Sequence, residues 1–146
     1  MSNENISGLL ENAIADSKKH LLLVDDDPLY LKMLRGWLEA KYTITAVKSG
    51  TQALAYLKGH CPDLILLDCE MPDMNGVEVF ERLKSDPGLS GIPVMFLTGK
   101  PSEDTKDIYC LTTQPPEGVL SKTLDRDGIE AAVEEYFTIP QISPFE

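Results

Sequence analysis

The stretch LLLVDDDPLY occupies residues 21–30, and in it four apolar residues run directly into Asp25, Asp26 and Asp27. An unbroken apolar run suits an inner strand buried on both faces. Carboxylates crowded at its end repel one another and resist burial, so each acid needs a cation or a duty. Asp27 has a duty. Asp27-Pro28 reads as a helix start, with the aspartate as cap and the proline at the first helical position. Asp25 and Asp26 have none.

Outward from this stretch the chain alternates. YTITAV (42–47), DLILLD (63–68), IPVMFLT (92–98) and GVLSK (118–122) read as further strands. Between them come helical stripes: Leu31, Leu34 and Leu38; Ala53, Leu54 and Leu57, with Gly59 as the stop; Val77, Phe80 and Leu83. A weaker helix, EDTKDIYCL (103–111), ends before Pro115-Pro116, and IEAAVEEYF (129–137) closes the series with Ile129, Val133, Tyr136 and Phe137 on one side. Five strands alternating with five helices predict a three-layer α/β sandwich around a parallel sheet.

The 146 residues suffice for one domain with a core, and 42% apolar with 25% charged is an ordinary globular balance. The net charge of −11 argues against a nucleic-acid backbone or an anionic membrane as partner. No apolar run approaches the roughly 18 residues that span a bilayer. MSNENISGLL lacks the basic start and apolar core of a secretory signal, so a cytoplasmic location is expected. Cys61, Cys69 and Cys110 are odd in number and lack metal-ligand spacing; they read as reduced thiols, mostly small core residues. Residues 1–18 form a polar extension in which Ile6, Leu9, Leu10, Ala13 and Ile14 recur at helical spacing.

Ligands of open α/β sheets bind beyond the carboxyl ends of the strands, where the strand order reverses. Asp25 and Asp26 follow the first strand, Asp68 ends the third, Thr98 the fourth and Lys122 the fifth. Alone, Thr98 is an ordinary strand end and Lys122 a surface lysine; their joint placement makes them a site. Three carboxylates of this kind repel without a cation, and hard oxygen donors suit Mg²⁺. A carboxylate beside such an ion can attack a phosphoryl group to give an acyl phosphate. An ammonium opposite offsets charge on the transferred oxygens, which suits Lys122, and a nearby hydroxyl could bond one of them, which suits Thr98.

LLLVDDDP, PDLILLDCEMPDMNG, IPVMFLTG and GVLSK, in this order and spacing, resemble the receiver domain of two-component response regulators over residues 19–138. The most specific piece is D-x-x-M-P-x-x-x-G, from Asp68 to Gly76. The resemblance implies a flavodoxin-like sheet of order 2-1-3-4-5. It implies Asp68 as phosphoacceptor, with a phosphohistidine on a sensor histidine kinase or histidine phosphotransfer protein as donor. Asp25 and Asp26 would position Mg²⁺ (or Mn²⁺), with Asp68 and the main-chain carbonyl of Glu70 as further ligands. Thr98 would be the switch hydroxyl and Lys122 the family's lysine. Such a chain is no turnover enzyme; it catalyses its own phosphorylation and dephosphorylation and switches contacts with a downstream protein, without binding DNA itself. Residues 139–146 read as a tail or the start of a linker.

The departures are specific. Thr123 follows Lys122 where the family usually has proline, removing the usual basis for a cis bond there. Val119 stands where many members carry an aromatic that swings inward, so that rotamer switch cannot operate in its usual form. LTTQPPEG (111–118) replaces the usual Ala/Gly-rich approach to the fifth strand, Gly99 stands where alanine is common, and Glu70 and Lys100 are placed to pair across the crevice mouth. Two other classes share part of this pattern. A haloacid-dehalogenase-type phosphatase shares the strand ending in D-x-D, but there the remaining acidic motif follows the lysine, whereas Asp68 precedes Thr98. A docking module with a vestigial site would not need the intact set of Asp25, Asp26, Asp68, Thr98 and Lys122.

The Ile6–Ile14 stripe fits a short amphipathic helix that packs on the domain, joins two copies in a homodimer, or frays. Deleting residues 1–18 is expected to lower thermal stability or weaken self-association in sedimentation experiments. An unchanged melting temperature and unchanged association would dismiss the stripe as a contact.

Overall fold

A computed structural model describes residues 18–139. Its strands are β1 His20–Val24, β2 Thr43–Val47, β3 Leu64–Asp68, β4 Val94–Thr98 and β5 Gly118–Ser121. Its helices are α1 Pro28–Leu38, α2 Gly50–Leu57, α3 Gly76–Ser85, α4 Pro101–Leu111 and α5 Arg126–Thr138. All strand pairs are parallel and the order is β2-β1-β3-β4-β5. The chain steps outward from β1 to β2, then returns across β1 to β3. The reversal therefore falls between β1 and β3, where Asp25 and Asp68 leave the sheet.

Side chains alternate across a strand with period two, and the inner strands place apolar residues on both faces. Leu22 and Val24 of β1, Ile65 and Leu67 of β3, and Val94 and Phe96 of β4 pack with residues of α2, α3 and α4. Leu21, Leu23, Leu64, Leu66, Met95 and Leu97 point the other way, against α1 and α5. This double coverage is why these strands read as continuous apolar runs, while the edge strands β2 and β5 are only partly covered. No helix among the described residues is long and apolar enough to cross a membrane.

The helix starts follow local chemistry. Asp27 accepts the Leu29 N–H at 2.9 Å ahead of Pro28, as its position in the sequence predicts. Asn75 caps α3 through the Glu78 N–H, and Asp125 caps α5 through the Gly128 N–H. Three expectations are revised. The buried stripe of α3 is Gly76, Val79, Phe80 and Leu83; Val77 is turned toward α4 and only partly buried. No glycine among the described residues has positive φ, so Gly59 is not a left-handed helix stop. Instead α2 tightens at its end, with Lys58 N–H on the Ala55 carbonyl and Gly59 N–H on the Tyr56 carbonyl. Of the cysteines only Cys69 is buried; Cys61 and Cys110 are exposed, and all three are free. Lys122 lies one residue past the end of β5. No cis peptide occurs among the described residues, so Lys122–Thr123 is trans. The Ile6–Ile14 stripe and residues 140–146 lie outside the described residues.

Gly76 explains the last position of the D-x-x-M-P-x-x-x-G motif. A Cβ there would sit 2.3 Å from the Asp68 carbonyl oxygen. The Gly76 N–H meanwhile donates to the Cys69 carbonyl at 2.9 Å. The helix α3 is thus seated directly on the backbone that carries Asp68, and Met71 anchors the intervening loop in the core.

Gly76→Ala is expected to destabilise by about 1–3 kcal/mol in urea unfolding, since a rigid backbone contact must move. Gly36→Ala, in an exposed helical position with nothing within 4 Å of its Cβ, is expected to stabilise by about 0.5–1 kcal/mol. Equal effects of the two would contradict the packing described.

Candidate functional site

The crevice lies above the carboxyl ends of β1, β3 and β4 and has a volume of about 260 Å³. Asp25 is wholly buried, Asp68 is 3% exposed and Thr98 is 1% exposed, whereas Asp26 stands in solvent. Asp25 is fixed by its own backbone: its N–H donates to the Val47 carbonyl, and its Oδ1 accepts the Asp27 N–H at 2.9 Å. Asp68 Oδ1 accepts the Glu70 N–H at 3.3 Å. Beyond β5, the Lys122 N–H donates to the Thr98 carbonyl at 2.8 Å and so extends the strand pairing by one residue. Its side chain reaches back to the acids. Nζ is 2.7 Å from Asp25 Oδ2 and 3.1 Å from Asp68 Oδ1. The Tyr30 ring, in the first turn of α1, packs against the same ammonium with its centroid 4.9 Å away. The five residues Asp25, Asp26, Asp68, Thr98 and Lys122, from four different strand ends, do converge.

Carboxylate oxygens of Asp25, Asp26 and Asp68 lie within 4.8 Å of one another. Asp25 Oδ2 is buried and makes no aligned hydrogen bond among the described residues; the nearby ammonium approaches it as a charge, outside hydrogen-bond geometry. An orphaned, buried carboxylate oxygen in an oxygen-only set fits a hard divalent cation. The Tyr30 hydroxyl is the other buried side-chain oxygen without a partner among the described residues, and burial pushes its pKa up to about 12.

Electrostatics agree with the geometry. Burial and then the Asp25 charge raise the Asp68 carboxyl to about 7; Lys122 and the Glu70 N–H oppose this without overcoming it. Burial works against the Lys122 ammonium, but the close approach of the Asp25 carboxylate and the charges of Asp68 and Asp25 outweigh that and leave its pKa raised. Cys69, beside Asp68, is pushed up to about 12 by burial and then by the charges of Asp104 and Asp68. Burial and these charges favour its protonated thiol over the reactive thiolate.

Glu70 and Lys100 meet at the mouth as their positions suggest, with Nζ and Oε1 at 4.0 Å, both well exposed. Such a pair contributes little. Two residues of the site had no sequence signal strong enough to assign them. One is Tyr30. The other is Asp104, whose carboxylate accepts the Thr98 hydroxyl proton. Pro101 at the first position of α4 could have located Asp104 in the first helical turn, six residues after Thr98.

A family model described as the response regulator receiver domain matches residues 21–134. A probable cyclic di-GMP phosphodiesterase of Vibrio cholerae is 40% identical over 88 residues, covering 60% of this chain and 20% of that protein. The polar-differentiation response regulator DivK of Brucella ovis is 40% identical over 81 residues, covering 55% of this chain and 66% of DivK. The chain thus spans a fifth of the first relative's length and just under two thirds of the second's. Among solved structures, the phosphorylated cyanobacterial phytochrome response regulator RcpA superposes with a TM-score of 0.72 at 28% identity, over 88% of this chain and 99% of RcpA.

In metal-free protein the Asp68 carboxyl is expected to titrate near pH 7 by carbon NMR, lower in Asp25→Asn and higher in Lys122→Ala. A midpoint in the ordinary carboxylate range would contradict the site electrostatics. The folded state holds the Asp68 proton at pH values where the unfolded chain, near its ordinary value of 3.8, has lost it. Its contribution is complete below that value and is lost as pH rises through 7. Asp68→Asn should therefore flatten the fall of melting temperature over that window.

Proposed function

This chain belongs to the response regulator receiver domain family, and from that premise we propose that it is a phosphoacceptor of a two-component phosphorelay, receiving its phosphoryl group on Asp68. The observation that carries the reading is the setting of Asp68: a buried carboxylate at the strand-order reversal, 3.1 Å from Lys122, with two further carboxylates close enough to share a cation.

The chemistry divides among the chain's own residues. Asp68 Oδ1 is engaged by Lys122 and by the Glu70 N–H. Oδ2 carries no hydrogen bond among the described residues and is the nucleophile. It attacks the phosphorus of a phosphohistidine; the new O–P bond forms as the P–N bond breaks, and the departing imidazole keeps the electron pair and takes a proton from water. Lys122 faces the transferred oxygens, held for that post by Asp25 at 2.7 Å. Asp25, Asp26 and Asp68, with the Glu70 main-chain carbonyl, are the ligands we assign to a Mg²⁺ ion, which when bound supplies the charge that offsets both the acids and the phosphoryl group. The Thr98 hydroxyl is the group that senses the arrival. The donor is a sensor histidine kinase or a histidine phosphotransfer protein, and the output is a change of contacts with a downstream protein. The chain acts on itself and turns over no other substrate.

Incubation with acetyl phosphate and Mg²⁺ is expected to add one phosphoryl group by intact mass, stable in acid and lost to base or hydroxylamine. Asp68→Ala should show none, and chelating the metal should slow the addition on the order of 100-fold or more. The absence of any adduct with acetyl phosphate or a phosphohistidine donor would favour a docking module instead. Steady phosphate release that survives Asp68→Ala would point to a phosphatase.

A further inference from the structure

Asp104 has no part in the phosphoryl transfer just described. It sits in the first turn of α4, three residues after Pro101, and lines the same crevice as Asp68 and Lys122. Its Oδ2 accepts the Thr98 hydroxyl proton. That hydroxyl also accepts the Lys100 N–H at 2.9 Å. A hydroxyl has one proton to give and two lone pairs to offer. A phosphoryl group on Asp68 presents only acceptor oxygens, so Thr98 can bond it only with the proton now held by Asp104. Two acceptors compete for one donor.

We infer that Asp104 is a positioning residue that withholds the Thr98 hydroxyl from the crevice until a phosphoryl group on Asp68 displaces it, and that this release carries the signal into α4. The inference rests on the reading of Asp68 as phosphoacceptor. Charge acts in the same direction as the competition. The arriving phosphoryl group brings a charge of about −1.5 to −2 into a crevice that Asp104 already lines, and like charges repel. Both groups that engage the hydroxyl, the Asp104 carboxylate and the Lys100 N–H, belong to the start of α4. Turning the proton toward Asp68 therefore removes the Asp104 side-chain tie from that end of the helix, and any movement of the oxygen itself also strains the Lys100 N–H bond.

Little else restrains α4. Lys100 at its cap makes no side-chain capping bond, and Ile108 is its one buried residue. A helix so lightly anchored is the element expected to shift at low cost. Its far end presents Tyr109 and Leu111, 50% and 68% exposed, an apolar surface that such a shift would re-aim. Val119 offers no aromatic ring to relay the Thr98 movement into β5. The Thr98–Asp104 bond supplies a different relay, into α4.

The test is calorimetric titration with beryllofluoride and Mg²⁺, a phosphoryl mimic, on the full chain. Loss of one charge-assisted competing bond should tighten binding roughly tenfold in Asp104→Ala. Asp104→Asn, whose amide oxygen still accepts but without charge, should fall between. In a Thr98→Val background the Asp104→Ala gain should largely vanish, which isolates the hydroxyl from simple charge removal. In the same proteins, the α4 amide shifts of ligand-free Asp104→Ala should move toward those of beryllofluoride-bound wild type. No tightening, or equal tightening with and without the Thr98 hydroxyl, would overturn the inference while leaving the phosphoacceptor reading intact. Unmoved α4 shifts would overturn the relay. Wild-type protein that binds no beryllofluoride would overturn the phosphoacceptor reading and this inference with it.

Discussion

The structure is organised around a repulsion. Two strands end side by side in carboxylates, one fully buried, and a third acid stands next to them. A fold tolerates this only if positive charge is delivered to the same place. Lys122 delivers it, and the route is indirect: the ammonium arrives from the far side of the sheet because β5 pairs with β4 and its pairing continues one residue past the strand. The three-layer packing, the seat of α3 on the Asp68 backbone and the order of the strands all keep these ends within a few ångströms. One ammonium does not satisfy the cluster. Asp25 Oδ2 is left without an aligned hydrogen bond, and Asp68 holds its proton to about pH 7. Those two residual demands are what a hard divalent cation at this site would meet.

Much of this was legible in the sequence because the signals were redundant. Each inner strand carries apolar residues on both faces, which only a doubly covered sheet allows, and the cap of α1 falls at Asp27, where the proline after it predicts. The site residues could be collected because topology assigns them a common edge before any side-chain position is known. Asp27 could be separated from Asp25 and Asp26 because a proline follows it.

What could not be read depends on direction. Val77 and Val79 both fit a helical stripe, and only the contact of Gly76 with Asp68 decides which of them faces the core. Cys61 and Cys110 fit a core composition, yet they stand at exposed positions. Tyr30 and Asp104 are ordinary surface-helix residues in sequence. They join the site because the first turns of α1 and α4 start at strand ends and so overhang the crevice. Their distance along the chain from Asp68 hides that. Val119 and Thr123 are informative in the opposite sense, since they mark where the sequence departs from the family's usual residues.

A divalent cation would relieve the carboxylates' mutual repulsion at the expense of the Asp68 proton. Calorimetric titration of Mg²⁺ at pH 7 in buffers of different ionisation enthalpy measures that exchange directly. With Asp68 titrating near 7, binding should release about half a proton per ion, less at higher pH and none in Asp68→Asn. Mg²⁺ binding with no proton release at pH 7, or release unchanged in Asp68→Asn, would contradict the account.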